Sequence, residues 1–302
     1  MQVASEPPEP NRTPTGTAPI GLTPAGLTLV ATPIGNMADL SPRALASFRD
    51  ADAVLCEDTR VTGSLLARHG VSVTMIPLHE HNEDDQIPRL LARLQAGERL
   101  ALASDAGTPL VSDPGYRLVR AAIAEGLPVS AVPGPNAAVM ALTLSGLPPH
   151  PFLFHGFLPP KAAARLAVLA GLRAAERAGL SATLIFYEAP HRLGEMLAGL
   201  AEGLGGARPA AVARELTKRF EEVRRGSLAE LAAWYAENEA RGEVVVVVGP
   251  APEEATGEAD LDAQLQAAVA AGLSLRDAAA TVAEATGLPR KQVYQRALAL
   301  KG

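Results

Sequence analysis

The sequence has little cysteine and no long uninterrupted apolar run. Its 302 residues include one cysteine, Cys56, which excludes an internal disulfide framework and every zinc or iron–sulfur site that needs several cysteines. The single thiol also fits a reducing compartment, so we expect a cytoplasmic protein. The longest stretch without Asp, Glu, Lys or Arg is 126–160, and its eight prolines argue against a membrane-spanning helix.

Several widespread nucleotide-binding and catalytic motifs are also absent. The sequence has no G-x-G-x-x-G after a predicted strand, no G-x-x-x-x-G-K-[ST], no H-E-x-x-H and no G-x-S-x-G. Several common enzyme classes therefore lose support. The formal net charge of −6 excludes a uniformly basic nucleic-acid-binding surface and leaves room for local basic patches.

The segments that are present predict two α/β domains. Hydrophobic residues make up 48% of the chain, enough for buried cores, and from residue 27 onward short apolar runs alternate with amphipathic stretches. The predicted strands are 27–31, 53–56, 73–78, 99–103, 128–132, 152–155, 182–187, 210–214 and 243–248. The predicted helices are 42–48, 60–69, 84–95, 114–125, 135–144, 162–178, 191–200 and 228–239.

Breaks in this pattern predict the domain boundaries. The proline-rich segment 1–26 has no apolar core segment, so we expect a disordered extension and neither a secretory signal nor an anchor. A Gly/Pro-rich stretch divides a first domain, 27–148, from a second, 149–250. Residues 251–260 are acidic and predict a linker, and 261–302 predict a module of three short helices.

Three predicted strands of the first domain end in loops rich in glycine, proline and small polar residues. These loops are 31–36, 104–109 and 132–137. A single loop of this kind is usually only a turn. In open α/β sheets, however, ligands bind beyond the carboxyl ends of the strands, so three such loops together predict a small-molecule site.

Motifs in both halves of the chain point to one family. They are Leu29-Val30-Ala31-Thr32-Pro33-Ile34-Gly35-Asn36, Cys56-Glu57-Asp58-Thr59-Arg60, His79-Glu80-His81-Asn82-Glu83, Ser104-Asp105-Ala106-Gly107-Thr108-Pro109, Phe154-His155-Gly156-Phe157-Leu158-Pro159, Tyr187-Glu188-Ala189-Pro190-His191-Arg192 and Arg214-Glu215-Leu216-Thr217-Lys218. This ordered set, over roughly 27–250, resembles the ribosomal RNA small subunit methyltransferase I family of the tetrapyrrole methylase superfamily. The resemblance implies two α/β domains with a cofactor cleft between them, plus a small C-terminal helical module.

The same resemblance implies that S-adenosylmethionine binds in the cleft and that the 2'-hydroxyl of a cytidine in 16S rRNA is methylated. Gly107 leaves room for a nucleoside, Asp105 offers acceptors, and Asn136 begins a helix whose N–H groups are free to bind a ligand. The expected cofactor-binding residues are Pro33, Ser104, Asp105, Gly107, Pro109, Asn136, Ala137, Tyr187 and Ala213. The alternatives are a methyltransferase acting on a corrin or porphyrin precursor and a ribosome-assembly factor without catalysis.

Methyl transfer needs alignment of the hydroxyl and, at most, one general base. The candidates for that base are Glu57, Asp58, Glu188, His191 and Lys218, the last only if burial lowers its pKa. Glu57, Asp58 and Arg60 are equally compatible with a surface ion-pair cluster. We expect no metal site, because a pair of histidines such as His79 and His81 on a polar loop is usually solvated.

RNA binding is expected to depend on local positive charge. The expected RNA-binding residues are Arg60, Arg192, Lys218, Arg219, Arg224, Arg290 and Lys291. The last two lie in the tail, which is similar to the helix-turn-helix-like module of the family; an ordinary solvated helix face is the alternative. The expected partner is 16S rRNA within the small ribosomal subunit. The oligomeric state stays open, with a homodimer among the alternatives.

Overall fold

The computed structural model describes residues 25–252, 258–286 and 288–300. The chain divides into two compact units, Met1–Pro250 and Ala251–Gly302. Almost all of the predicted extension, residues 1–24, lies outside the described part of the chain. Among the described residues, no helix combines the length and the apolar character needed to cross a membrane.

The first half of the larger unit builds a five-stranded, fully parallel sheet in the order β3-β2-β4-β1-β5. Its strands are β1 (Gly26–Val30), β2 (Ala53–Cys56), β3 (Met75–Pro77), β4 (Arg99–Ala103) and β5 (Val129–Val132). The helices of this half are α1 (Pro42–Asp50), α2 (Thr59–Arg68), α3 (Glu83–Gln95), α4 (Tyr116–Ala124) and α5 (Ala137–Ser145). Because parallel strands share one carboxyl edge, the loops that follow β1, β4 and β5 emerge together.

The second half builds a mixed sheet in the order β6-β7-β10-β8-β9. Its strands are β6 (Phe152–Phe157), β7 (Thr183–Glu188), β8 (Pro209–Arg214), β9 (Glu222–Ser227) and β10 (Val244–Val248), and its helices are α6 (Ala162–Arg177), α7 (Leu193–Leu204) and α8 (Leu228–Glu237). Only β6 and β7 pair in parallel; the other pairs are antiparallel. The edge strand β9 is absent from the sequence prediction.

Helix α5 packs against the second sheet, although it follows the last strand of the first. Its buried residues Ala141 and Leu142 share an apolar cluster with Ile185 of β7 and Val247 of β10. The predicted domain boundary between 148 and 149 lies after α5 in the chain. By its packing, however, α5 belongs with the second sheet and not with the first. The helix therefore joins the two halves through its packing as well as through the chain.

The smaller unit contains three helices in its described residues: α9 (Glu258–Ala270), α10 (Leu275–Thr286) and α11 (Arg290–Ala299). They enclose a small core that includes Leu265, Val282 and Val293. Three helices were predicted, but α9 begins within the predicted linker 251–260. Arg296 of α11 donates two hydrogen bonds, of 2.6 and 2.7 Å, to the carboxylate of Asp262 in α9.

Candidate active site

A cavity of about 390 Å³ lies where the carboxyl edge of the first sheet meets the second sheet. This volume is within the range of small-molecule sites in proteins. One wall comes from the loop after β4 and the start of α5. The other comes from the ends of β6 and β7 and the start of β10. Six of the predicted site residues line the cavity: Asp105, Gly107, Asn136, Ala137, Tyr187 and Glu188.

The loop after β4 is fixed by hydrogen bonds to β1 and within the loop itself. Thr32 and Gly107 exchange backbone hydrogen bonds of 2.9 and 3.1 Å, and the Thr32 hydroxyl donates to the Ser104 carbonyl at 2.9 Å. Ser104 Oγ donates to Asp113 Oδ2 at 2.5 Å. Gly107 has a φ of +88°, a left-handed conformation that favours glycine. The loop therefore presents Asp105, Gly107 and Asp113 to the cavity on a rigid backbone.

Carboxylates give this wall an acidic character. Asp105 and Asp113 both line the cavity, while Glu57 shares a neighbouring depression with Asp113. Burial raises the pKa of each of the three groups from its ordinary value. Nearby negative charge adds to the rise: Asp105 raises the pKa of Glu57 and that of Asp113. Such a wall is suited to a cationic ligand, whose charge offsets the repulsion.

The start of α5 forms the next part of the wall. Asn136 is the N-cap of this helix, and its side-chain oxygen accepts the backbone N–H of Val139 at 3.1 Å. Thr108 donates to the Pro135 carbonyl at 3.0 Å, which ties the β4 loop to this turn. The first turn of α5, with Ala137, is therefore held against the cavity with its positive end toward it.

The opposite wall is formed by the end of β7. Tyr187 is half-buried, and burial raises the pKa of its hydroxyl, a rise that the backbone of Ala138 partly offsets. Glu188 is buried, and its Oε1 accepts hydrogen bonds of 2.8 Å from the Ala189 N–H and from Arg192 Nε. These hydrogen bonds to Glu188 fix the turn after β7 at the edge of the cavity.

Two of the predicted general bases have electrostatic surroundings that suit this role poorly. Hydrogen bonds from Arg60 lower the pKa of Asp58 to about 2, and the same carboxylate caps α2. For Lys218, burial lowers the pKa, but ion pairs with Glu215 and Glu243 outweigh it and raise the pKa overall. A carboxylate so acidic and an ammonium so stabilised are both poor proton acceptors.

Four of the predicted cofactor residues do not line the cavity. Ser104 acts through Asp113, as described above, and Pro33 and Pro109 are buried parts of the loop scaffold. Ala213 is 1% exposed in β8 and packs in the apolar cluster beneath α5. A side chain sealed in the core has no surface to offer a ligand. These residues shape the site without lining it.

The predicted RNA-binding residues fall into two groups. Some already form an ion pair or a ring contact within the protein, and the others are exposed. Arg192 holds Glu188, Lys218 holds Glu215 and Glu243, and Arg224 lies 3.7 Å from the centroid of the Trp234 ring while pairing with Glu222. Arg224, predicted to bind RNA, therefore has two contacts within the protein. The exposed members are Arg60, which pairs with Asp58, and Arg219, Arg290 and Lys291.

Several cavity residues are missing from the sequence prediction. They include Asp113, which follows the β4 loop, Phe157 at the end of β6, Leu216, and Glu243 at the start of β10. Asp113 is followed by Pro114-Gly115, a pattern that reads as an ordinary turn. Phe157 belongs to one of the motifs that resemble the family. The spacing of residues in that motif, however, does not indicate that the Phe157 ring lies at a cavity.

Comparison with known proteins defines the class. The model of the family Tetrapyrrole (Corrin/Porphyrin) Methylases matches residues 26–232, and that of the RsmI C-terminal HTH domain matches 255–301. The crystal structure of the methyltransferase CobJ has the same fold, with a TM-score of 0.54 and 22% identity over 75% of this chain and 95% of CobJ. The fold is thus that of the tetrapyrrole methylases, as predicted.

Sequence relatives identify the branch of that class. The Ribosomal RNA small subunit methyltransferase I of Mesorhizobium japonicum is 51% identical over 276 residues, which cover 91% of this chain and 92% of the relative. The protein of the same name from Xylella fastidiosa strain Temecula1 is 48% identical over 274 residues, 90% of this chain and 98% of the relative. The chain belongs to the ribosomal RNA small subunit methyltransferase I family, and the resemblance drawn from its motifs is confirmed.

Proposed function

We propose that this protein transfers a methyl group from S-adenosylmethionine to the 2'-hydroxyl of a cytidine in 16S rRNA, within the small ribosomal subunit in the cytosol. The observation that carries the proposal is the acidic cavity between the two sheets in a chain of this family. A small tetrapyrrole as the substrate has only distant structural similarity in its favour.

The cavity residues fit S-adenosylmethionine. Asp105 and Asp113 match a ligand that carries a sulfonium and an ammonium charge. Gly107 has no side chain to obstruct the ligand. An ideal Cβ there lies 3.2 Å from Ile34 Cγ2, closer than ordinary contact. Ile34 and Val245 give the cavity apolar surface for an adenine ring. When bound, S-adenosylmethionine supplies a methyl group already activated by its positively charged sulfur.

The chain's own contribution is chiefly binding, alignment and exclusion of water. We propose that Asp105 and Asp113 hold the cationic end of the donor, and that the turn stabilised by Glu188 and Arg192 closes the opposite side. Glu57 and Glu188 remain as candidates for the group that accepts the hydroxyl proton. The raised pKa of Glu57, caused by burial and then by Asp105, brings it closer to the range of a useful base.

The chemistry of Cys56 favours a ribose oxygen over a base carbon as the target. Methylation of a cytosine carbon normally requires a nucleophile that attacks the ring. Cys56, the one cysteine, is buried in β2, and burial raises the pKa of its thiol. A protonated thiol in a core is a poor nucleophile. A hydroxyl acceptor needs no such group.

We further propose that exposed basic residues outside the cavity bind the RNA backbone. Arg219 follows the β8 turn, and Arg290 and Lys291 begin α11 in a helix that contains no acidic residue. Arg276 and Tyr294 share a surface depression with these two residues of α11. Clustered guanidinium and ammonium groups of this kind bind phosphates with strong salt dependence.

The test is the chemical nature of the product. Purified protein is incubated with tritiated S-adenosylmethionine and with naked 16S rRNA, small subunits or a corrin precursor. Methylated RNA is then digested with nucleases and analysed by mass spectrometry. The extra methyl is expected on the ribose of one cytidine, where it protects the adjacent linkage from alkaline cleavage. A methyl on the base, or transfer to the corrin alone, contradicts the proposal.

Cofactor affinity is expected to fall under mildly acidic conditions. Because burial raises the pKa of Asp105 and of Asp113, these groups take up protons at a higher pH than ordinary aspartates, and each proton removes a charge that attracts the cation. Calorimetry between about pH 7 and about pH 5 should show affinity decreasing as the pH falls. Asp105→Asn should bind more weakly at neutral pH and show a flatter profile.

The matched control is Asp52→Asn. Hydrogen bonds from Arg99 lower the pKa of Asp52, and this residue precedes β2, at the end of the sheet away from the cavity. This variant should keep the wild-type pH profile. An affinity that is constant with pH in the wild-type protein rules out ionised carboxylates as the groups that hold the donor.

A further inference from the structure

An exposed aromatic ring stands at the edge of the cavity. Phe157, the last residue of β6, lines the cavity and is 50% exposed. Its ring centroid lies 5.6 Å from that of Tyr187, with the two planes at 65°. A phenylalanine left half in water gives up much of the free energy that burial of its side chain provides. Its exposure at this position is therefore a feature to be explained.

A β-bulge puts this ring on the cavity side. The register of β6 against β7 shifts between Phe154 and Gly156, so that Phe154 pairs with Ile185 and Phe157 pairs with Tyr187. In a regular strand, residues three apart point to opposite faces. Here both phenylalanines face the same side of the sheet as Tyr187, because the bulge inserts one extra residue. Bulges near active sites commonly redirect a side chain in this way.

The backbone around the ring is firmly held. Gly156 has a φ of +79°, and an ideal Cβ there lies 3.2 Å from Ser112 Oγ of the opposite wall, so glycine permits this close approach. Leu158, the next residue, is 2% exposed and anchors the strand end in the core of the second sheet. A fixed backbone limits the positions open to the Phe157 ring. The ring therefore loses little further conformational entropy when a ligand stacks on it.

We propose that Phe157 is the platform on which the target nucleobase stacks when its ribose enters the cavity. This inference rests on the proposed RNA substrate. Proteins recognise unpaired RNA bases mainly by stacking them on aromatic side chains. The carboxylates of Asp105 and Asp113 line the same cavity and repel phosphate, so a neutral base is the part of a nucleotide that fits there.

The experiment compares Phe157→Ala, Phe157→Leu and Phe157→Tyr with Phe152→Ala. Phe152 begins the same strand and is 46% exposed, but it does not line the cavity. Methyl transfer to purified small subunits that lack the modification is measured as kcat/KM. Loss of one stacked base should lower kcat/KM by about 10- to 100-fold for the alanine and leucine variants. The tyrosine variant and Phe152→Ala should stay close to the wild type.

Calorimetry with S-adenosylmethionine separates stacking from a structural effect. Donor affinity and melting temperature are expected to stay close to wild-type values in all four variants. If Phe157→Leu is fully active, an apolar surface suffices and the stacking role is overturned. It is also overturned if Phe157→Ala loses donor affinity as strongly as it loses kcat/KM. A wild-type protein that methylates no RNA overturns the proposed function, and this inference with it.

Discussion

Gly107→Val is expected to lower the affinity for S-adenosylmethionine by about 100-fold or more, close to 3 kcal/mol. The left-handed φ of +88° at this position is strongly unfavourable for a β-branched residue. The Cβ alone comes within 3.2 Å of Ile34 Cγ2, and valine adds two more carbons at the cavity wall. Both effects distort the surface that is proposed to receive the donor. Calorimetry of the purified variant measures the loss.

Gly97→Val is the matched control. Gly97 has a φ of +86°, nearly the same backbone conformation, but nothing lies within 4 Å of an ideal Cβ there. Both variants should lose about 1–3 kcal/mol of stability from backbone strain. Only Gly107→Val should lose donor affinity. Wild-type affinity in a folded Gly107→Val protein would remove the β4 loop from the donor site.

Arg192→Ala is expected to lower the free energy of unfolding by about 3 kcal/mol. The substitution leaves the carboxylate of Glu188, whose side chain is 2% exposed, without its charged partner at the end of β7. The turn after β7, one wall of the cavity, should loosen and methyl transfer should fall together with stability. Denaturant unfolding and kcat measure the two effects.

The comparison is with Arg60→Ala. Arg60 also pairs with a nearby aspartate, but its side chain is 89% exposed, so its removal should change stability far less than the removal of Arg192. The double variant Arg192→Ala with Glu188→Gln should recover part of the stability, since a neutral amide costs less to bury. If Arg192→Ala were as stable as Arg60→Ala and lost only RNA affinity, the prediction that Arg192 contacts RNA would be supported instead.

Strands with a clear apolar pattern of their own were predicted from the sequence. The strand that was missed, β9, depends on contacts with other parts of the chain. Strands β2 and β4 have the predicted limits, because continuous apolar runs bounded by polar residues indicate buried parallel strands. Strand β9, with the sequence EVRRGS, lacks such a run. It forms because β8 supplies a pairing edge and because Trp234 receives Arg224. Neither partner is visible from the segment itself.

Site residues could be predicted from the sequence where a backbone conformation requires a particular residue type. Gly107 and Asn136 lie at a left-handed turn and a helix start, and both line the cavity. The pKa directions of Asp58 and Lys218 were not predictable from the sequence, because a pKa depends on which charges fold beside the group. Phe157 was missed for a geometric reason: a shift of one residue in register decides which face a side chain occupies.

The placement of α5 has a consequence for protein engineering. A chimera that exchanges halves with another methyltransferase of this fold at residue 148 would pair α5 with a foreign sheet, and its residues Ala141 and Leu142 would meet unmatched neighbours. A crossover just after β5, near Val132, keeps the helix with the sheet it covers. Such a graft would, however, separate Asn136 and Ala137 from the β4 loop beside them. Donor binding and folding therefore favour different crossover points.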